Sequence, residues 1–236
     1  HLLSRRQRQM CIRDRIIMIY ITGDTHAHFH DFTSRIEHAG IGKGDTAIVC
    51  GDFGFTLGRD YDEMHLNAME LLPYTIAFVD GNHENFDKLY EYPIVDFCGG
   101  KAHQVRKNIF HLIRGESFII EGHSFFCFGG AYSRDKATRD PNFWWPQELP
   151  NNEEYAHAKK TLAGLGYKVD YVLTHTIPDS FIYRLGAVPD PHDAELTGYF
   201  EWLYRELEFK KWFAGHFHVN RDFGDFMVLF DDVVTI

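Results

Sequence analysis

The run Ile16-Ile17-Met18-Ile19-Tyr20-Ile21-Thr22-Gly23-Asp24-Thr25-His26 decides how this chain is read. A short apolar, largely β-branched stretch breaks at a glycine and delivers an aspartate and a histidine just beyond it. Such a run, bounded by turn residues, predicts a buried strand with polar groups at its carboxyl end. The same order returns downstream: Thr46–Cys50 stops at Gly51-Asp52, and Thr75–Val79 stops at Asp80-Gly81-Asn82-His83-Glu84. Between these strands, Phe32–Ala39 reads as a helix closed by Gly40. Asp60–Leu72 reads as a second helix, with Met64, Leu66, Ala68, Met69, Leu71 and Leu72 as its apolar face and Pro73 as its stop. Strand ends recur about every 30 residues, the length of a βαβ unit. A parallel sheet is therefore expected in the first half.

The middle changes character. His103–Arg106, Ile109–Arg114, Ser117–Glu121 and Ser124–Phe128 are short runs separated by Lys107-Asn108 and Gly122-His123, which predicts a meander of antiparallel hairpins. Asp140–Pro150 is an aromatic loop whose Trp144 and Trp145 are read as packing residues rather than a clamp on a substrate ring. A helix over Asn152–Leu165, a strand over Asp170–Thr174, a helix over Ala194–Leu207 and a strand over Lys211–Ala214 follow. Strands over Asp225–Phe230 and Val233–Ile236 close the chain. Without an internal repeat or a linker, the reading is a single mixed α/β domain.

The 236 residues are 44% hydrophobic and 25% charged, values that exclude a disordered or fibrous chain. The apolar run Ile16–Ile21 is far short of the ~20 residues a membrane span needs, so no membrane partner is expected. A formal charge of −10 argues against a nucleic-acid partner, whose binders carry a basic stripe. Cys11, Cys50, Cys98 and Cys127 form no CxxC pair, which favours a reducing, cytoplasmic setting; Cys50 and Cys127 read as buried small hydrophobes. Fifteen histidines in an acidic chain raise the question of transition metals. Residues 1–15 stand apart, with five arginines, one aspartate and no amphipathic period. Their last six, Met10-Cys11-Ile12-Arg13-Asp14-Arg15, resemble a translated sequencing-library adapter, so residues 1–15 are read as a non-native leader rather than a basic targeting arm. On that reading Met18 is the true start and residues 16–236 are the domain.

Five strand ends carry the polar residues: Gly23-Asp24-Thr25-His26, Gly51-Asp52, Gly81-Asn82-His83-Glu84, Thr174-His175 and Gly215-His216-Phe217-His218. In an open α/β sheet, ligands bind outside the carboxyl ends of strands. The ordered set resembles the calcineurin-like metallophosphoesterase family, whose motifs run D-x-H, G-D, G-N-H-[DE], H and G-H-x-H. The rest of the chain resembles a compact bacterial and prophage branch of it. The resemblance implies a metallophosphoesterase-type β-sandwich flanked by helices in α/β/β/α layers. It also implies a dinuclear site in which Asp24, His26, Asp52 and His218 hold one metal and Asp52, Asn82, His175 and His216 the other. Imidazole and carboxylate donors suit two divalent transition metal ions, Mn first, with Fe, Zn or Ni as alternatives. A carboxylate at Asp52 can offer one oxygen to each cation, and a metal-activated hydroxide would attack phosphorus. The family assigns His83 to protonating the leaving oxygen. Asn82, His28 and Arg134 are the candidates for touching substrate, with His28 and His30 at the mouth of the site. His38, His65, His103, His111 and His157 fall in helix or strand patterns and are expected at the surface.

Many protein-phosphatase relatives continue the second motif as G-D-x-x-D-R-G. Here Gly51-Asp52 continues as Phe53-Gly54-Phe55-Thr56, which lacks the Asp and the Arg and favours a small phosphomonoester or phosphodiester as substrate. The alternatives are a metal-binding interaction scaffold with little activity and a nucleic-acid phosphodiesterase. The oligomeric state is not legible in the chain.

Overall fold

The structure is a computed structural model that describes residues 16–136, 138–140 and 143–236. Residues 1–15, and with them the leader reading, lie outside the described residues. Strands β1 (Ile19–Thr22), β2 (Thr46–Val49) and β3 (Thr75–Phe78) run parallel, as the spacing predicts. Their near-continuous apolar sequence follows from burial on both faces. Ile19, Ile21, Ile48 and Ala77 face one core, whereas Tyr20, Ala47, Val49, Ile76 and Phe78 face another.

The first sheet is completed by β4 (Ile94–Phe97), β5 (Gly100–Arg106), β6 (Ile109–Leu112) and β13 (Val233–Thr235), in the order β13-β1-β2-β3-β6-β5-β4. The second contains β7 (Ser117–Ile120), β8 (His123–Phe128), β9 (Tyr171–Thr174), β10 (Lys211–Ala214), β11 (Arg221–Asp222) and β12 (Phe226–Val228), in the order β11-β12-β10-β9-β8-β7. Helices α1 (Phe29–His38), α2 (Asp60–Glu70) and α3 (Phe86–Glu91) cover the outer face of the first sheet through Phe32, Ile36, Leu66, Met69, Phe86 and Leu89. Helices α4 (Asn152–Gly164), α5 (Asp179–Arg184) and α6 (Ala194–Glu206) cover the second, through Leu162, Phe181, Leu196, Phe200 and Leu203. Between the sheets lies a third core of Ile19, Ile21, Ile48, Phe118, Phe125, Leu173 and Phe213. Three cores make four layers, the α/β/β/α sandwich expected.

The middle of the chain is not one meander. β4, β5 and β6 pair antiparallel in the first sheet, whereas β7 and β8 pair antiparallel in the second. The chain changes sheets between Leu112 and Ser117, and β8 is then buried on both faces. Phe125 and Cys127 enter the inner core, while Phe126 and Phe128 meet the outer helices.

A second correction concerns His103 and His111, which are buried rather than superficial. The β5–β6 register sets them opposite each other, with Nδ1 atoms 3.0 Å apart and rings stacked. His111 Nε2 lies 3.0 Å from Asp80 Oδ1, and Arg114 Nε donates to Asp80 Oδ2 at 2.9 Å. Burial opposes ionisation of Asp80, but Arg114 and His111 hold its carboxyl well below the usual carboxylate range. Trp145 packs in the first helix-covered core, donating Nε1 to Asp87 Oδ2 at 2.9 Å. No helix among the described residues is long and apolar enough to cross a membrane.

Arg114→Met leaves the buried Asp80 charge without its guanidinium. The expected loss is about 3–5 kcal/mol of folding stability, the usual cost of breaking a buried pair, read as a lower midpoint in urea unfolding. An unchanged midpoint would show that Asp80 does not need this partner.

Candidate metal centre

The residues after β1, β2, β3, β9 and β10 meet at the seam between the two sheets. Their backbones bend sharply there. His26, Asp52, His216 and His218 adopt φ of 46°, 48°, 69° and 49°, in the left-handed region that non-glycine residues seldom occupy. Four such residues at one site mark a place where surrounding structure holds backbone strain. The holding contacts are specific. Asp52 O accepts from Thr25 N and His26 N at 3.1 and 2.8 Å, and Thr25 Oγ1 donates to Phe53 O at 2.7 Å. Glu84, left without a role in the sequence reading, is fully buried and accepts from Phe53 N, Gly54 N and Thr56 Oγ1 at 2.7, 3.3 and 3.1 Å. Burial and the nearby Asp52 charge push the Glu84 carboxyl up to about 8, against the pull of those backbone donors.

Two glycines are dictated by approach distance. A Cβ on Gly51 would overlap the His175 ring, and one on Gly81 would overlap the Asp52 carboxylate and backbone nitrogen. Gly51 also sits at φ +93°, so both space and conformation exclude a side chain there.

The donors fall into two sets around Asp52. On one side, His218 Nε2 lies 3.0 Å from Asp24 Oδ2, and His26 Nε2 lies 2.9 Å from His218 Nε2. His26 Nε2 is 3.6 Å from Asp24 Oδ2 and 3.9 Å from Asp52 Oδ2. On the other side, His175 Nε2 lies 3.4 Å from Asp52 Oδ1 and 3.1 Å from Asn82 Oδ1. The His175 ring meets the His216 ring edge-on with centroids 4.9 Å apart. The two Asp52 oxygens thus point to different donor sets. Supporting contacts orient the ligands: His175 Nδ1 donates to Cys50 O at 2.9 Å, leaving Nε2 for the site. Asn82 Nδ2 donates to Ser133 Oγ at 3.1 Å, which turns Oδ1 inward.

Charge in this cluster is lopsided. Burial opposes ionisation of Asp24 and Asp52, yet the histidines around them hold both well below the usual carboxylate range. His175 is desolvated too, but Asp52 and Asp24 raise it to about 10. Desolvation and the charge of His175 push His216 down to about 3. The Asp24 contact raises His218. Asp24 Oδ2 is buried and faces His218 Nε2 at 3.0 Å and His26 Nε2 at 3.6 Å, without an aligned hydrogen bond. A buried carboxylate oxygen left open toward two imidazole nitrogens fits a cation, and a donor set of nitrogen and oxygen without sulfur fits a divalent transition metal.

A cavity of about 310 Å³ opens over the cluster, lined by Asp52, Asn82, His83, Arg134, Asp135 and residues 216–218. Arg134 is among these lining residues. His28 lies 3.7 Å from Asp31 and lines a neighbouring cavity of about 330 Å³ together with Asp24, His26 and Arg35. His83 donates its backbone N–H to Asp52 Oδ1 at 2.8 Å and places its ring 5.2 Å from that of His26. Ring donors of His26 and His83 and an Asp52 oxygen lie within 4.8 Å of one another, so distance alone does not separate an acid from a ligand at His83. The sequence reading also missed Arg139, which touches His83. It lies in the irregular segment before Trp144, where no periodic pattern points to it.

A family model described as calcineurin-like phosphoesterase matches residues 17–220. Among solved structures, the chain is similar to a serine/threonine protein phosphatase from Saccharomyces cerevisiae described as similar to human phosphatase PP5. That match has 16% identity and a TM-score of 0.42, covering 91% of this chain and 67% of that one. No curated protein matches the chain.

The charge on His175 sets a linkage test. With its folded value raised to about 10, this imidazole carries a proton at pH 7 in the metal-free protein, and a metal ion must displace it. Loading with Mn at pH 7 should release protons, and affinity should rise with pH toward that value. Calorimetry in two buffers of different ionisation enthalpy reads the release directly; identical heats in both would contradict it. Gly81→Ala should abolish tight metal binding by displacing Asp52, and retained stoichiometric metal would overturn that assignment.

Proposed function

Since the chain belongs to the calcineurin-like phosphoesterase family, we propose that it hydrolyses a small phosphomonoester or phosphodiester at a dinuclear site centred on Asp52. The observation that carries this reading is the placement of all seven side chains, Asp24, His26, Asp52, Asn82, His175, His216 and His218, around one seam with the two Asp52 oxygens facing different sets. Their completeness weighs against a scaffold that has lost its chemistry. Two divalent ions, with Mn the first expectation, would supply Lewis acidity, a water of lowered pKa and a clamp on attacking and leaving oxygens.

The chain's own residues supply the rest. Asp24 and Asp52, kept ionised, provide the negative charge that fixes cations, and Asn82 adds a neutral oxygen whose direction Ser133 sets. His83 lines the cavity, and the family resemblance puts it in neither ligand set, which suits it to give a proton to the leaving oxygen. Burial lowers its affinity for that proton and the Arg139 charge adds to this, while Asp52 opposes the shift. Arg134, about half exposed at the cavity wall, is placed to meet a phosphoryl oxygen.

The size of the substrate follows from Phe53, Phe55 and Thr56. Where protein-phosphatase relatives carry the second Asp and the Arg, Phe55 and Thr56 turn into the interior, and Phe53 stacks on Phe78 with centroids 4.3 Å apart. That segment is packed as core and bonded to Glu84, so it presents no cation to a phosphoprotein.

Two variants separate the roles. Asp52→Asn removes the bridging charge and should lose metal and nearly all turnover on every ester. His83→Asn should keep its metals and lose about 10²–10⁴-fold on an alkyl ester, the range for a positioned acid. On a p-nitrophenyl ester, whose oxygen leaves without a proton, it should lose far less. Equal losses with metals retained would remove His83 as the acid, and lost metal would make it a ligand. Full activity after exhaustive chelation would sink the metal-dependent reading altogether.

A further inference from the structure

Arg139 is more heavily bonded than its irregular surroundings suggest. Its side chain is only 10% exposed. Nε donates to Asp135 Oδ2 at 3.2 Å and Nη2 to Asp135 Oδ1 at 2.7 Å, the two-pronged geometry that fixes a guanidinium plane. Nη1 reaches Asn82 O at 3.2 Å, Phe143 O at 3.4 Å and the buried Glu148 carboxylate Oε1 at 3.3 Å. Nη2 also lies 3.0 Å from His83 Nε2 and 3.2 Å from His83 Nδ1. The two ring nitrogens flank a single carbon. A donor nearly equidistant from both, at this range, has to rest over the ring face, because in the ring plane it would collide with that carbon. Arg139 therefore leaves both in-plane nitrogen positions of His83 untouched.

The two arginines near the cavity differ in kind. Arg134 is 49% exposed, donates Nη2 to Val188 O at 3.2 Å and has a loose 3.8 Å contact with Asp190, so it has donors to spare for a ligand. Arg139 has its fork spent on two carboxylates and two carbonyls, one of them the carbonyl of Asn82, immediately before His83. A group committed in this way is poorly suited to capture phosphate. It is well suited to hold a neighbour still.

We propose that Arg139 is a positioning residue for His83. Its guanidinium, fixed by Asp135 and Glu148, seats one face of the imidazole and, through the Asn82 carbonyl, the backbone that carries it. The proposal rests on the reading of His83 as the proton donor. An imidazole on a cavity wall can rotate about its ring torsion, and proton transfer requires the donor nitrogen in line with the leaving oxygen. A misplacement of about 1 Å can cost about 10²-fold in rate. Arg139 removes that freedom without occupying the nitrogen that has to react.

The test uses the full chain loaded with Mn and compares Arg139→Gln, His83→Asn and the double variant on an alkyl phosphoester and on its p-nitrophenyl counterpart. Arg139→Gln should keep its metal content and lose at least about 10-fold in kcat on the alkyl ester, while the p-nitrophenyl ester is nearly spared. The double variant should be no worse than His83→Asn alone, because a seat has no effect without the ring it holds. Equal losses on both esters, or losses that multiply in the double variant, would overturn the proposal. If His83→Asn itself treats the two esters alike, the acid reading falls and takes the seat with it. If His83→Asn discriminates and Arg139→Gln does not, only the role of Arg139 falls. Should Arg139→Gln be recovered only as insoluble protein, Asp135→Asn carries the same test from the exposed side of the fork. It should show a smaller loss confined to the alkyl ester, and no discrimination there would equally overturn the assignment.

Discussion

Two aspartates buried side by side, Asp24 and Asp52, are the constraint on which the rest of this molecule depends. Each is almost completely removed from water, and the Asp52 charge raises the proton affinity of Asp24. Burying like charges together is unfavourable unless cations or donors surround them. The fold surrounds them with His26, His175 and His218, drawn from both sheets. A sandwich is what brings them together, because β1 and β2 belong to one sheet and β9 and β10 to the other. Their carboxyl ends meet at one seam, and the inner core of Ile21, Ile48, Leu173 and Phe213 fastens the sheets behind it.

Much of this was legible in the chain. The β1, β2 and β3 strands announce themselves as apolar runs cut by glycine, and burial on both faces is the physical reason. The candidate ligands were legible because each follows such a strand, and Gly51 and Gly81 stand where a side chain would strike His175 or Asp52. Less could be read where the pattern is short or mixed. β4 is half exposed, with Ile94 at 61%, and α3 and α5 span six residues each, too few for a helical period to show. The division of the middle strands between two sheets depends on tertiary pairing, which alternation within each strand does not encode.

The missed polar residues share a cause. His103 and His111 look like surface histidines until their cross-strand register and Asp80 are known. Arg139 looks like any loop arginine until Asp135, Glu148 and His83 are found around it. Each owes its role to partners distant in sequence. One chain of contacts runs through them: Arg114 bonds Asp80 just before the Gly81-Asn82-His83 loop and donates to Gln147 O at 2.8 Å, close to Glu148. The Gly81-Asn82-His83 loop is thus braced by Arg114 and by Arg139, both tied to the segment around Glu148.

The pairing of β1 with β13 has a temporal meaning. Thr22 Oγ1 bonds Asp232 O across 210 residues of chain, and a Cβ on Gly23 would strike Leu229. At ribosomal speeds of about 5–20 residues per second, roughly 10–40 s of synthesis separates the two strands. During that interval β1, the strand that leads into Asp24 and His26, has β2 on one edge and nothing on the other. His216 and His218 arrive only near the end of it. A nascent chain therefore holds one open hydrophobic edge and only part of the candidate donor set for most of its synthesis. The candidate site is complete only once β10 and the residues after it have been made.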